Sequence, residues 1–341
     1  MNLKERITNI HDNQSRVMSA IIQTENRKEK IAEAEKALKE IEKAAGTRAS
    51  WAFLILEEPE VRQLFVEHTK EFVEIAKAAG KMTCNAFMAL RQPQIRSSFA
   101  ENSKLLTKSF VQIAKAAGED ACPAFLSLGN PDVANLFVKD PELVIRIFIE
   151  VSKDTGKGAR SAFWAFEKPG VWKLFFEHKK EFLELARVSG EGAGITFEAL
   201  LNRKIWNLFI DYKKYFLEIA KASGYGSDSA FEALTTPEIG KLFAEKPELV
   251  TKSFVEIAKA SGEESWAAFE ALKLLEIRKL FAKNPKIVSE TFVRIAKAAG
   301  ADADLAFKEL GTPTLTKLFL DYCKGEISFD KLSSSIMKEI M

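Results

Sequence analysis

The stretch SFVEIAKASGEESWAAFEALKLLEIRKLFAKNPKIVSETFVRIAKAAG, residues 253–300, begins and ends on nearly the same phrase. Variants of IAKAAG recur along the chain and close on Gly46, Gly80, Gly118, Gly156, Gly190, Gly224, Gly262 and Gly300, at spacings of 34, 38, 38, 34, 34, 38 and 38 residues. Self-similarity at such a period marks a helical repeat array. Two lengths that differ by four predict one structural unit in which a loop, or one helical turn, is present or absent.

Registered on that glycine, the repeat reads G-x-x-A-x-x-A-F-x-A-L-x-x-P-x-I-x-x-L-F, then F-V-E-I-A-K-A-A. The first Phe stands at 53, 87, 125, 163, 197, 231, 269 and 307, the second at 65, 99, 137, 175, 209, 243, 281 and 319. A third recurs at 72, 110, 148, 182, 216, 254 and 292. Apolar residues three and four apart predict a short first helix, as in EESWAAFEAL. Pro59, Pro93, Pro131, Pro169, Pro237 and Pro313 then open a second helix, where the missing proline N–H costs nothing. In PEIGKLFAE the buried face is Ile239, Leu242 and Phe243. Longer repeats carry a further break at Pro141, Pro247 and Pro285; shorter ones are expected to join their second and third helices more directly. The third helix ends at the glycine, which is expected in the left-handed C′ conformation.

These readings give an all-α fold class: a right-handed α-solenoid, or superhelix, of about eight 34- or 38-residue units with two to three helices each. Residues 1–45 are read as an amino-terminal helical cap with an incomplete leading repeat. Residues 46–319 form the array and 320–341 a capping helix, all in one continuous domain. The repeat resembles those of the α-solenoid superfamily, which includes armadillo, HEAT, TPR and Pumilio-type proteins, with the three-helix reading most similar to armadillo or Pumilio units. The TPR pattern of Trp, Leu-Gly and Tyr is missing, as is an asparagine ladder on the third helix. The resemblance therefore implies an architecture and no particular family.

Lys and Arg number 50 against 48 Asp and Glu, so no global field favours nucleic acid or anionic lipid. The amino terminus lacks a signal-peptide core and no stretch is apolar enough to span a bilayer, so a cytoplasmic protein with no membrane partner is expected. The odd cysteine count, Cys84, Cys122 and Cys323, fits a reducing compartment. Abundant Lys and Glu with little Gln resemble heat-adapted composition.

No Walker loop, GxSxG or HExxH motif is present, and the three histidines, His11, His68 and His178, are scattered. No catalytic residue, cofactor or metal ligand is assigned, and the chain is read as non-enzymatic. Cys84 and Cys122 share a repeat position and are read as two buried thiols. A cation precedes each repeat glycine by three, from Lys43 and Lys77 to Lys297. It is a phosphate ladder on one reading. On the favoured one it complements the helix dipole and pairs with a Glu three residues earlier, such as Glu74 or Glu184.

Positions that vary amid fixed neighbours carry more. After the repeated Ile or Val come Arg62, Arg96, Ala134, Trp172, Trp206, Gly240, Arg278 and Thr316, followed in the Trp repeats by Lys173 and Asn207. After the first Phe come Leu54, Met88, Leu126 and Trp164, then Glu198, Glu232, Glu270 and Lys308, a change from apolar to charged. The candidate partner-binding residues are therefore Arg62, Arg96, Trp164, Trp172, Lys173, Trp206, Asn207 and Arg278. Trp is enriched at binding hot spots, whereas the structural alternative is that Trp fills a gap left by shorter repeats. The expected partner is a protein or peptide; the alternative is RNA or single-stranded DNA stacked on the Arg/Trp column.

Overall fold

A computed structural model describes residues 3–25, 27–155, 158–168 and 170–340. Gly156 and Pro169 of the repeat pattern lie outside the described residues. Every regular element among the described residues is helical. The chain opens with α1 (Leu3–Thr24) and α2 (Lys28–Ala45), continues with α3 (Ala49–Leu56), α4 (Pro59–Glu67) and α5 (Thr69–Ala79), then α6 (Thr83–Ala89), α7 (Pro93–Glu101) and α8 (Ser103–Ala117). Next come α9 (Ala121–Ser127), α10 (Pro131–Lys139) and α11 (Pro141–Thr155), followed by α12 (Ala159–Ala165), α13 (Val171–Glu177) and α14 (Lys179–Ser189). The remainder is α15 (Ala193–Ala199), α16 (Arg203–Ser223), α17 (Ser227–Leu234), α18 (Pro237–Glu245), α19 (Pro247–Ser261), α20 (Ser265–Leu272), α21 (Leu275–Lys283), α22 (Pro285–Ala299), α23 (Ala303–Glu309), α24 (Pro313–Cys323) and α25 (Phe329–Ile340).

These helices divide into two compact bodies, Met1–Lys153 with Phe163–Lys173, and Asp154–Ala162 with Leu174–Met341. Within the first, like packs on like: α3 on α6 and α6 on α9 form a row of first helices, and α2 on α5 and α5 on α8 a row of third helices. The second body repeats the scheme, with α15, α17, α20 and α23 in one row and α14, α16, α19 and α22 in the other. Second helices likewise pack on their counterparts, α4 on α7 and α18 on α21. This regular neighbour packing is solenoid-like and consistent with a helical repeat.

Phenylalanine supplies the core. The three recurrent columns are buried throughout. The third-helix ring of one repeat meets the first and second rings of the next: Phe72 lies 5.0 Å from Phe87 and 5.7 Å from Phe99. Phe110 lies 5.7 Å from both Phe125 and Phe137, and Phe254 lies 5.0 Å from Phe269 and 5.8 Å from Phe281. Most of the second-ring pairs are edge-on or tilted, the arrangement aromatic quadrupoles favour.

The prolines open the helices as expected, Pro59, Pro93, Pro131, Pro237 and Pro313 standing in the first turn of second helices. The four-residue difference is one helical turn. In short repeats α5 and α14 have 11 residues; in long ones α8, α11, α19 and α22 have 15. A more direct junction in the short repeats is found only in α16, and there a kink remains at Tyr212 (φ −126°, ψ 31°). One non-helical residue breaks the chain in both classes: His68 (φ −130°, ψ 41°) in a short repeat, Asn102 (φ −134°, ψ 47°) in a long one.

The repeat glycines also differ from expectation. Their φ is positive, from 50° at Gly224 to 58° at Gly262, but ψ runs from −113° to −132°, outside the left-handed helical region. This backbone redirects the chain into a 3-10 turn such as Gly262–Glu264, and only glycine adopts it freely. A Cβ at Gly262 would touch nothing within 4 Å, so the requirement is conformational and not steric. The ends are covered: Asn13 of α1 donates to Ser50 O at 3.2 Å, and α25 buries Leu332 and Ile336 while packing on α23 and α24.

Two substitutions test this account by urea denaturation. Gly262→Ala is expected to lower stability by about 1–3 kcal/mol through backbone strain alone. Phe254→Ala, which opens a cavity between two repeats, is expected to cost about 3–5 kcal/mol.

Candidate partner-binding surfaces

The outer side of the first helices carries the residue that follows the first Phe. In the first body Leu54 and Trp164 are exposed, Trp164 by 44%, and Met88 and Leu126 are half-buried. Trp51, which sequence reasoning did not single out, is 63% exposed one turn from Leu54 on α3. In the second body the same column is exposed and charged, but not freely acidic. Lys273 Nζ lies 2.7 Å from Glu232 Oε2 and 2.5 Å from Glu270 Oε1. Burial alone would lower the Lys273 pKa; hydrogen bonds and charge from the two glutamates raise it instead. Asp228, one turn before Glu232, is pushed up chiefly by burial, and Glu232 and Glu270 push further.

The second-helix column turns toward its own repeat. The Arg62 guanidinium donates to Glu57 O at 2.8 Å, Arg96 to Arg91 O at 3.3 Å and Arg278 to Lys273 O at 3.5 Å. In the last repeat the Thr316 hydroxyl donates to Leu310 O. These carbonyls lie at the ends of the first helices, where intrahelical donors run out. Arg278 Nε also sits 2.8 Å from Glu238 Oε2. Trp172 is only 3% exposed, its ring 5.1 Å from Phe166 and 6.4 Å from Phe148. Trp206 is half-buried, 4.5 Å from the His178 ring and 5.7 Å from Phe209. Lys173 and Asn207 beside them are exposed. Trp164 belongs to the first-helix face, so the candidate residues divide between two faces.

The third-helix face is the most regular surface, and sequence reasoning saw one column of it. The cations three before the glycine are all exposed, from Lys43, Lys77, Lys115 and Lys153 to Lys297. One heptad earlier stands a second cation column, Lys36, Lys70, Lys108 and Arg146 in the first body and Lys180, Lys214 and Lys252 in the second, also exposed; Glu290 ends it. Between them runs an apolar column that is mostly half-buried, including Val73, Val111, Ile149, Leu217, Val255 and Val293. Reading the third helix at i, i+3, i+4 and i+7 would have found it. The acidic partners sit across helices: Lys77 Nζ is 2.6 Å from Glu40 of α2, not paired with Glu74, and Glu184 is 2.6 Å from Lys213 of α16. Hydrogen bonding and charge from Lys77 hold the Glu40 carboxyl below its ordinary value. Adjacent third helices lie close enough that the next helix competes with the i,i+3 neighbour.

Two grooves open on this face in the first body. One, about 450 Å³, lies between α2 and α5 and is lined by Lys36, Glu40, Lys70, Val73, Glu74 and Lys77. The other, about 310 Å³, lies between α8 and α11.

His68 and His178 mark helix breaks in short repeats, and His68 meets Phe99 edge-on at 5.7 Å. Cys84 and Cys122 are half-buried, not fully buried, thiols; burial raises the Cys84 pKa and neighbouring Cys122 adds to it. Among the described residues no three His, Cys, Asp or Glu side chains gather as a metal ion would require. Among them, too, no helix is long and apolar enough to cross a membrane. No protein-family model matches the chain, and a comparison with curated proteins found no match.

Burial predicts opposite outcomes for two tryptophans in urea denaturation: Trp172→Ala is expected to cost about 3–5 kcal/mol, and Trp164→Ala to stay within about 0.5 kcal/mol. Asp228 gives a pH test. Its folded pKa exceeds its unfolded one, so its favourable contribution is present in acid and lost as pH rises through the raised value. Asp228→Asn is expected to raise the melting temperature at neutral pH and leave it unchanged in acid.

Proposed function

We propose that this chain is a non-enzymatic scaffold, a right-handed solenoid of eight repeats that binds a protein or peptide along its third-helix face. The observation that carries this reading is the apolar column running between cation columns, with glutamates interleaved. A phosphate backbone needs uncompensated cations, because its affinity comes from counterion release. Here Glu40 already binds Lys77, and Glu74 lines the same groove. Apolar positions rimmed by both charge signs instead suit a protein partner, which supplies side chains of each kind. Repeat arrays provide extended surfaces of this type. Cys84, Cys122 and Cys323 stand as thiols outside any disulfide, in keeping with the cytoplasmic, reducing setting of this reading.

The Arg/Trp column is less suited to stacking bases. Its arginines bond backbone carbonyls and the Trp172 ring is covered.

The test is a tagged full-length pull-down from source-cell lysate, with and without nuclease, beside a Val111→Asp, Val255→Asp variant. Both valines are half-buried, so the variant is checked by its melting curve. The expected result is a specific protein that survives nuclease and is lost with the variant. Recovery of nucleic acid alone would sink the scaffold reading.

A further inference from the structure

On the third-helix face, six residues before the repeat glycine, the chain places Glu40, Glu74, Gln112, Glu150, Glu184, Glu218, Glu256 and Arg294. Six of the eight are glutamates, of which Glu40 pairs with Lys77 and Glu184 with Lys213. Arg294 stays exposed but is engaged, its guanidinium stacked 4.0 Å over the Phe329 ring and donating to the Tyr322 hydroxyl. Gln112 is different. It is exposed and neutral, on a helix, SKLLTKSFVQIAKAA, that contains no acidic residue at all.

That helix, α8, exposes Lys104, Lys108 and Lys115, and among the described residues none of the three has a carboxylate within ion-pair distance. It forms one wall of the second groove. Leu105, Lys108 and Gln112 face Ile145, Arg146 and Ile149 of α11 across a space of about 310 Å³. Leu105 is 46% exposed and Ile149 half-buried, so the floor is apolar and reachable. A glutamate in place of Gln112 would stand one turn from both Lys108 and Lys115 and lower the positive potential of this wall.

Building on the scaffold reading, we infer that the α8–α11 groove is the docking site for an acidic amphipathic segment of a partner protein. Its apolar side chains rest on Leu105, Ile145 and Ile149, and its carboxylates meet Lys108, Arg146 and Lys153. Charge complementarity selects this occupant. A basic segment would face the α8 lysines with no acid on that wall to hold it, and a segment without apolar side chains would leave the floor in water. Glu142 on the α11 wall sets register by repelling carboxylates placed on that side.

The test is fluorescence anisotropy with the full chain and labelled dodecapeptides in helical register: Glu/Leu, Lys/Leu and Glu/Ser, with oligothymidylate of equal length as competitor. The key variant is Gln112→Glu, which installs the residue that Glu74 and Glu256 already place at this position, so the fold is expected to keep its melting curve. Glu/Leu is expected to bind and to lose about five-fold or more in affinity with Gln112→Glu, while the other probes neither bind nor compete. Absent Glu/Leu binding, equal binding of Lys/Leu or Glu/Ser, competition by oligothymidylate, or affinity indifferent to Gln112→Glu would each overturn the groove assignment. None of these touches the scaffold reading, which stands or falls on the nuclease-split pull-down.

Discussion

The contact on which everything else rests is a phenylalanine from the third helix of one repeat set against two phenylalanines of the next. Phe216 approaches Phe231 at 4.5 Å and Phe243 at 6.1 Å; Phe292 repeats the arrangement with Phe307 at 5.1 Å and Phe319 at 5.5 Å. The ring that completes a repeat's core thus belongs to its predecessor. No repeat can bury its own apolar face, and cooperativity passes from neighbour to neighbour. The same dependence explains the atypical ends, where α1 and α2 precede the first Phe column and α25 lays Leu332 and Ile336 over the last repeat.

Most of this was legible in the sequence because it depends on residue type at a fixed period. Phe columns, helix-opening prolines and turn glycines declare themselves within one repeat. The missed parts depend on the neighbouring helix. The glycine φ could be foreseen, but its ψ is set by the 3-10 turn that follows. Lys77 has a suitable partner three residues away in Glu74, yet the packed α2 helix brings Glu40 to 2.6 Å. A neighbouring repeat acts likewise in the charged first-helix column, where Lys273 gathers Glu232 of α17 as well as its own Glu270.

The Arg/Trp column shows why variation amid fixed neighbours is an ambiguous signal. Arg62, Arg96 and Arg278 solve one local problem, the unpaired carbonyls where a first helix ends. Thr316 solves it with a hydroxyl, and Gly240 brings its backbone so near Leu234 O that a Cβ would stand 2.7 Å away. Different side chains at one position can mean different answers to the same packing question. The third-helix columns vary less and face water more, and for that reason carry the stronger functional argument.

The extra turn of the long repeats reaches beyond length. A helical turn rises about 5.4 Å, and four residues advance the helix by about 400°, so an insertion of this size lengthens a helix while rotating its faces by only about 40°. The added turn of α8 contributes Leu105 to the groove, and that of α11 contributes Glu142. Insertions counted in fours therefore act as a shim: they change the depth of the local surface without disturbing the phenylalanine register beneath it. A chain built this way can acquire a new recognition pocket by a small in-frame duplication, with its core untouched.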